Sequence, residues 1–116
     1  MAFEGIVPIL YSENVERSIA YYMEQLAFDE KWAWDHPTTF GGVSKDSVRL
    51  FFCLKGQGQP GTWIAINVDN VDEYYQTINA RGAKILSAPK DMEWFMREML
   101  VEDPDGHIIR FGHAIE

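Results

Sequence analysis

Asn70-Val71-Asp72-Glu73 repeats, 56 positions later, the stretch Asn14-Val15-Glu16 near the start of the chain. In both places an apolar run of strand length comes before the Asn, and apolar residues follow at the helical steps of three and four. Asn is a favoured helix N-cap, and Glu73 stands three positions after Asn70, where it completes a capping box. The repeat therefore predicts two copies of one unit, each of which opens with a strand and a helix.

The Gly-rich stretch from Lys55 to Gly61 lies near the midpoint of the chain and separates the two copies. Before it, the apolar pattern predicts a helix over 15–26 and strands over 3–10, 28–34, 39–43 and 48–54. After it, the pattern predicts a helix from Asn70 to about Arg81 and strands over 62–68, 84–86, 94–101 and 107–114. We therefore predict an α+β fold of two tandem βαβββ modules, residues 1–57 and 58–116 of a single domain 1–116, that form a curved mixed sheet with the helices outside.

The residues that end the two predicted helices differ between the copies. Gly82 is well suited to end the second helix, because glycine adopts a left-handed C′ conformation without penalty. The comparable position of the first copy, in Leu26-Ala27-Phe28, is Ala27. If Ala27 adopts a positive φ, the strain costs on the order of 1 kcal/mol relative to glycine.

The formal net charge of −8 disfavours binding to the phosphate backbone of nucleic acids. The same charge favours a cationic ligand, or serves solubility alone. No apolar stretch reaches the length of a membrane span, and no basic region followed by an apolar core marks a signal peptide. Cys53, the single cysteine, lies in an apolar run and is expected to be buried. We therefore expect a cytoplasmic protein with no nucleic-acid or membrane partner.

Two stretches of the sequence resemble a known family. The run from Pro8 to Tyr22, with Leu26-Ala27-Phe28 after it, resembles the opening of glyoxalase/bleomycin-resistance proteins, which usually have Leu-Gly-Phe at this point. Trp94-Phe95-Met96-Arg97-Glu98-Met99, followed by Asp103-Pro104-Asp105-Gly106-His107, resembles their ending. The resemblance covers nearly the whole chain and implies the vicinal oxygen chelate fold.

Enzymes of this superfamily hold a divalent metal with up to four His or Glu side chains, two from each module. The resemblance places those positions at Val7, Arg49, Trp63 and Arg110. Val has no donor atom, the indole of Trp only donates a hydrogen bond, and Arg stays protonated. The three histidines, His36, His107 and His113, show no metal-binding spacing. The resemblance therefore implies the bleomycin-resistance branch, which binds its ligand without metal, and we expect neither a metal nor another cofactor.

Strand alternation predicts which side chains accompany these positions in the cup of the sheet. The predicted ligand-binding residues are Trp32, Trp34, Phe40, Arg49, Phe51, Trp63, Trp94 and Arg110. Aromatic rings and guanidinium groups suit planar heteroaromatic ligands, which stack on both, although some of the Trp side chains can instead fill a core or a dimer interface. The two arginines need anionic partners, either Glu98 and Glu30 or an anionic group of a ligand.

The sequence thus favours metal-independent binding of a small antibiotic-like molecule, planar aromatic or glycopeptide, for sequestration as in bleomycin resistance. A homodimer is expected, because the resemblance implies one and because open strand edges and exposed rings favour pairing. The alternative is a lyase, an isomerase or a dioxygenase-like enzyme that uses the same cup, with Glu98 and His36 as candidate acid/base groups and no catalytic residue assigned. A third interpretation is an interaction module that binds no small molecule.

Overall fold

The computed structural model of the protein describes residues 1–116 as two α-helices and eight β-strands. The first module contains β1 (Ile9–Ser12), α1 (Val15–Glu24), β2 (Glu30–Trp34), β3 (Phe40–Lys45) and β4 (Val48–Leu54). The second contains β5 (Trp63–Asn67), α2 (Val71–Ala80), β6 (Lys84–Asp91), β7 (Met96–Glu102) and β8 (Ile108–Ala114). The predicted order of two βαβββ modules is confirmed, and neither helix is long and apolar enough to span a lipid bilayer.

Each module forms its own four-stranded mixed sheet, in the order β1-β4-β3-β2 for the first and β5-β8-β7-β6 for the second. The first strand of each module runs parallel to the last, and the remaining strand pairs are antiparallel. No strand of one sheet pairs with a strand of the other. Each half is therefore complete as a hydrogen-bonded unit.

The strand register shows which residues of the two modules are equivalent. Ile9 pairs with Phe51 in the first sheet, and Ala65 pairs with Arg110 in the second. Because Ile9 and Ala65 are separated by the 56 positions of the repeat, the counterpart of Arg110 is Phe51. The prediction of Arg49 at that place is therefore wrong by two residues. The turn between the last two strands is longer in the second module, so counting along the chain misses the register.

Both helices begin at the predicted caps. Asn14 Oδ1 accepts a hydrogen bond from the backbone N–H of Arg17 at 3.0 Å, and Asn70 Oδ1 accepts one from Glu73 at 3.1 Å. The two bonds satisfy amide groups that have no partner inside the helix. After the helices, Gly82 has φ 83°, as predicted, and Ala27 at the comparable position also has a positive φ, 62°.

One face of each sheet packs on the helix of its own module and forms the core. In the first module Val15, Ile19 and Tyr22 of α1 are buried against Leu50 and Phe52 of β4. In the second module the buried residues are Ile66, Val71, Ile78, Met99, Val101, Ile109 and Phe111. Because side chains alternate along a strand, the opposite face of each sheet points away from its helix. These two outer faces are where the predicted ligand-binding residues lie.

The two modules meet where the turn between β7 and β8 packs on α1. The hydroxyl of Tyr22 donates a hydrogen bond to Asp103 Oδ2 at 2.8 Å, and Ser18 Oγ donates one to Asp105 Oδ2 at 3.2 Å. Burial raises the pKa of Tyr22 well above its usual value and also raises the pKa of Asp103. The buried ring of His107 accepts from Thr62 N–H through Nδ1 at 3.0 Å, and its Nε2 lies 2.7 Å from the carbonyl oxygen of Tyr11. This polar junction connects the modules.

The first strand is shorter than predicted. Residues 3–8 form no strand, and Phe3 and Ile6 are almost fully exposed. Pro8 has no N–H for the ladder, and Gly5 has φ 133°, a conformation outside the strand region. Pairing with β4 therefore starts at Ile9.

The sixth and seventh strands also differ from prediction. β6 continues to Asp91 although it contains Pro89, because β6 is the edge strand of its sheet and an edge strand tolerates proline. β7 begins at Met96, since Trp94 and Phe95 belong to the preceding turn. Phe95 has φ 63° in this turn, which Met92 N–H closes by donating to Met96 O at 2.7 Å.

Candidate ligand-binding faces

The face of the first sheet that points away from α1, here called the first open face, carries five of the predicted residues: Trp32, Trp34, Phe40, Arg49 and Phe51. Three of these rings pack on one another. The ring centroids of Trp32 and Phe51 are 5.2 Å apart, those of Trp32 and Phe40 are 5.4 Å apart, and those of Phe40 and Phe51 are 5.6 Å apart. Edge-to-face and tilted contacts at such distances are favourable, so the three rings form one aromatic surface.

Gly42 makes this aromatic surface possible. Gly42 pairs with Trp32 on one side and with Phe51 on the other. A Cβ atom at this position would lie 2.7 Å from Trp32 Nε1 and 2.8 Å from the carbonyl oxygen of Leu50. The missing side chain therefore leaves the space over which the indole lies.

The remaining groups of the first open face are accessible to solvent. The side chain of Trp34 is 67% exposed. Arg49 is exposed and forms no ion pair. Glu30, one of its expected partners, instead accepts a hydrogen bond from Ser44 Oγ at 3.3 Å. Cys53 is half-buried rather than buried, because its strand position places it on this face beside Phe40.

The face of the second sheet that points away from α2, here called the second open face, contains a cavity of about 290 Å³. Its lining residues are Trp63, Ser87, Lys90, Met92, Trp94, Glu98, Leu100 and Arg110. Trp63 is 56% exposed and Trp94 is 51% exposed, so both indoles offer surface to a ligand. Three of the predicted residues, Trp63, Trp94 and Arg110, therefore come together here.

Arg110 is fixed by a carboxylate beneath it. Its Nη2 lies 2.8 Å from each oxygen of Glu98, whose side chain is only 11% exposed. Glu98 Oε2 also accepts a hydrogen bond from Trp94 Nε1 at 3.3 Å, and the guanidinium carbon lies 5.6 Å from the centroid of the Trp94 ring. The expected pairing of an arginine with Glu98 is confirmed for Arg110. The arrangement holds one cation, one anion and one indole in a fixed geometry.

Gly112 provides the space for this carboxylate. Gly112 pairs with Glu98 across the strands, and a Cβ atom on it would lie 2.8 Å from Glu98 Cγ. A larger residue would displace the Glu98 side chain and with it the partner of Arg110. Gly112 thus plays the part on the second open face that Gly42 plays on the first.

The two groups of predicted residues lie on separate sheets. The cavity on the second open face has no lining residue from the first sheet. Ser87, Lys90, Met92 and Leu100 line it without having been predicted. The strand predicted over 84–86 ends before Lys90, whereas β6 continues to Asp91 and pairs Lys90 with Glu98.

The positions that the resemblance gave to metal ligands do not fit a metal ion. Val7 has no donor, Trp63 and Arg110 can only donate hydrogen bonds, and the register puts Phe51 at the fourth place. No three His, Cys, Asp or Glu side chains are grouped where they could hold an ion. These four positions therefore offer no ligand to a metal ion.

The two candidate acid/base groups are not brought together. Glu98 lines the cavity, but Arg110 and Trp94 already occupy its oxygens. His36 lies in the turn between β2 and β3 and does not line the cavity.

A wider groove of about 740 Å³ lies between the modules, beside α2 and the hairpin turn of β3 and β4. It contains none of the predicted ligand-binding residues. Asp29 and Lys45, which line it, form an ion pair at 3.5 Å. Its size comes from the space between two packed units, and the exposed indoles lie elsewhere.

The model of the glyoxalase/bleomycin resistance protein/dioxygenase superfamily matches residues 5–111 of the chain. No curated protein matches the sequence of this chain. Among solved structures, TioX from Micromonospora sp. ML1 superposes with a TM-score of 0.83 at 19% identity, over 97% of this chain and 100% of that one.

Two further solved structures with a similar fold are a bleomycin-binding protein and a bleomycin resistance determinant. The bleomycin-binding protein from bleomycin-producing Streptomyces verticillus, in complex with copper(II)-bleomycin, has a TM-score of 0.77 at 23% identity and covers 100% of this chain and 99% of that one. The bleomycin resistance determinant encoded on the transposon Tn5 has a TM-score of 0.79 at 20% identity, over 97% and 98% of the two chains. At these identities the likeness shows the fold alone.

Proposed function

Because the chain belongs to the glyoxalase/bleomycin resistance protein/dioxygenase superfamily, and because both of its open faces carry exposed aromatic rings, we propose that it binds a small planar aromatic or glycopeptide-like molecule without a metal ion. The observation that carries this proposal is the aromatic surface of Trp32, Phe40 and Phe51 together with the half-exposed indoles of Trp63 and Trp94. Soluble proteins rarely expose rings in such groups unless a ligand or another protein covers them. Flat rings also stack well on flat ligands.

The bleomycin-named neighbours support sequestration as the purpose of this binding. One of them was solved with copper(II)-bleomycin bound, and another is a resistance determinant. A protein that holds a toxic molecule needs no acid/base group, which agrees with the occupied oxygens of Glu98. A cytoplasmic site of action fits the lone Cys53, which can form no disulfide within the chain.

We further propose that two copies of the chain form the binding unit. The cavity on the second open face, about 290 Å³, lies at the lower limit of ligand pockets, and the first open face is a surface rather than a cavity. A second copy placed over these faces would enclose a ligand between them. It would also cover rings such as Trp34 and Trp63 that a single copy leaves in water.

Fluorescence and thermal unfolding test the binding proposal directly. We expect bleomycin, or a member of a panel of planar cationic, neutral and anionic compounds, to quench tryptophan fluorescence and raise the melting temperature. Both effects should persist after treatment with a chelator. Trp63→Ala should weaken binding about tenfold or more, as is typical for the loss of a central aromatic contact. Phe3→Ala, which removes an exposed ring in the N-terminal stretch, is the matched control and should bind normally.

The proposal is wrong if no compound of the panel produces quenching or thermal stabilisation. It is also wrong if binding appears only when a divalent metal is added. Turnover that survives a chelator and disappears in Glu98→Gln would instead support the enzymatic alternative. Sedimentation of the free protein as a monomer at micromolar concentration would contradict the two-copy unit.

A further inference from the structure

We infer that the second open face takes a planar aromatic anion, a ring system that carries a carboxylate. This inference rests on the proposed function and narrows it to one class of ligand. Its starting point is the balance of charges in the cavity, which differs in sign from that of the whole protein.

The cavity contains two cations and one anion. Arg110 and Lys90 line it together with Glu98, and these are its only charged residues. Lys90 forms no ion pair, although it stands directly across the strands from Glu98. Both oxygens of Glu98 face Arg110 instead. The ammonium group of Lys90 is therefore left without an anionic partner next to the cavity.

Arg110 also keeps donors for a ligand. Its bonds to Glu98 use Nη2 alone, and the other guanidinium nitrogens donate to no group of the protein. Because the Glu98 side chain is only 11% exposed and is also bonded to Trp94 Nε1, the guanidinium is held in one orientation before any ligand arrives. A carboxylate could then accept from Arg110 and lie near Lys90 at little cost in side-chain entropy.

The rings of the cavity provide the surface for the rest of such a ligand. Trp63 and Trp94 both line it and are about half exposed. The guanidinium of Arg110 lies against the Trp94 ring, so a carboxylate that meets the guanidinium is next to an indole. A flat ring attached to that carboxylate can therefore stack while its charge is neutralised.

The formal net charge of −8 favours a cationic ligand, whereas the charges of the cavity favour an anionic one. Charges more than about 8 Å away are largely screened at physiological ionic strength. The ligand's charged group in the cavity interacts mainly with Arg110, Lys90 and Glu98, whose sum is one positive charge. The local charges therefore decide which ligand binds, and the remote ones mainly affect how quickly it arrives.

Three probes with the same ring test this inference: 2-naphthoate, 2-naphthamide and 2-naphthylmethylammonium. Their affinities are measured by tryptophan quenching or calorimetry at fixed ionic strength. We expect the carboxylate to bind about tenfold more tightly than the amide, which has the same shape without the charge, and the ammonium compound to bind most weakly.

The variant Lys90→Gln tests whether the preference for the carboxylate over the amide arises in the cavity of the second open face. Lys90 lies exposed on an edge strand, so its replacement leaves the core intact. We expect this variant to reduce the preference for the carboxylate over the amide about fivefold while the amide affinity stays the same. Lys31→Gln removes one exposed positive charge from β2, on a residue outside both binding faces, and is the matched control, with the preference retained. Arg110→Gln is less suitable, because it leaves the mostly shielded Glu98 carboxylate without its partner.

The outcomes separate this inference from the proposed function. If the amide or the ammonium compound binds as tightly as the carboxylate, the protein binds planar molecules but the inference about charge is wrong. If the preference survives Lys90→Gln or disappears in Lys31→Gln, the charge recognition does not belong to the second open face. If none of the probes and none of the larger panel binds, the proposed function itself fails.

Discussion

The phenolic oxygen of Tyr22 lies 2.8 Å from Asp103 Oδ2, and both groups are buried between the two modules. The same carboxylate accepts backbone N–H bonds from Asp105 at 2.8 Å and His107 at 3.0 Å through Oδ1. These hydrogen bonds connect α1 of the first module to the turn between β7 and β8 of the second. A single substitution that removes this hydrogen bond therefore measures its contribution to the stability of the junction.

Tyr22→Phe should lower the free energy of unfolding by about 1–3 kcal/mol, because it removes one hydrogen bond to a buried carboxylate and leaves the ring in place. Urea unfolding measures the change. Tyr75→Phe is the matched control, since Tyr75 is half-buried and its hydroxyl makes no hydrogen bond within the chain; it should change stability by less than about 0.5 kcal/mol. Equal effects of the two substitutions would show that the Tyr22–Asp103 bond contributes nothing specific.

Ala27→Gly should stabilise the protein by about 0.5–1 kcal/mol, because residue 27 has φ 62° and glycine adopts this conformation without strain. Thermal or urea unfolding measures the gain. Ala20→Gly, inside α1, should have the opposite sign and cost about 1 kcal/mol. A loss of stability in Ala27→Gly would mean that the methyl contact with the core outweighs the backbone strain.

Asp72 should make stability depend on pH in the acidic range. Hydrogen bonds from Arg97 Nε at 3.0 and 2.9 Å lower the pKa of the Asp72 carboxyl below its usual value. The folded state thus favours the ionised form, so this contribution is present above about pH 4, the unfolded value, and is lost as the pH falls through the lower folded value. Asp72→Asn should therefore be less stable than the parent at pH 7, with the difference shrinking toward pH 3.

Urea midpoints at pH 7, 5 and 3 measure that difference. Glu73→Gln is the matched control, because Glu73 lies in the same first turn of α2 and forms no ion pair. It should show a much smaller dependence on pH. A difference between the parent and Asp72→Asn that stays constant from pH 7 to pH 3 would contradict the role given to Arg97.

Gly42→Ala should destabilise the protein by about 1–3 kcal/mol, since the added Cβ meets backbone and indole atoms closer than 3.0 Å. It should also displace Trp32 and change the tryptophan emission spectrum. Gly56→Ala is the control, because the nearest atom to its Cβ is the thiol of Cys53 at 3.2 Å, at the end of a movable side chain. An unchanged spectrum in Gly42→Ala would show that the indole does not depend on the glycine.

The architecture could be predicted because its signals are local and occur twice. Asn14 and Asn70 are caps whatever surrounds them, and the repeat of 56 positions implies equal modules. The left-handed residue after α1 was predictable for the same reason, because Gly82 marks the equivalent place in the second module. Alternation along single strands also placed Trp32, Phe40 and Phe51 on one face.

The details of the site depend on pairing between distant strands, which no local pattern contains. The counterpart of Arg110 is Phe51 rather than Arg49 because the register is set by hydrogen bonds across the sheet. Lys90 lies beyond the strand predicted over 84–86, and β6 can continue through Pro89 to reach it only because β6 is at the edge of its sheet. The pairing of Glu98 with Arg110 was predictable, because an arginine within the sheet needs an anionic partner. The unpaired ammonium group of Lys90 could not be predicted in this way.

The separate hydrogen-bond ladders of the two sheets have a consequence for how selectivity can change. A substitution among the rings over Gly42 leaves every strand pair beneath Arg110 intact, and the reverse is also true. The ligand contacts of the first open face and those of the second open face can therefore diverge independently, one half at a time. A descendant chain could acquire a new target by altering a single sheet while the other continues to fold as before.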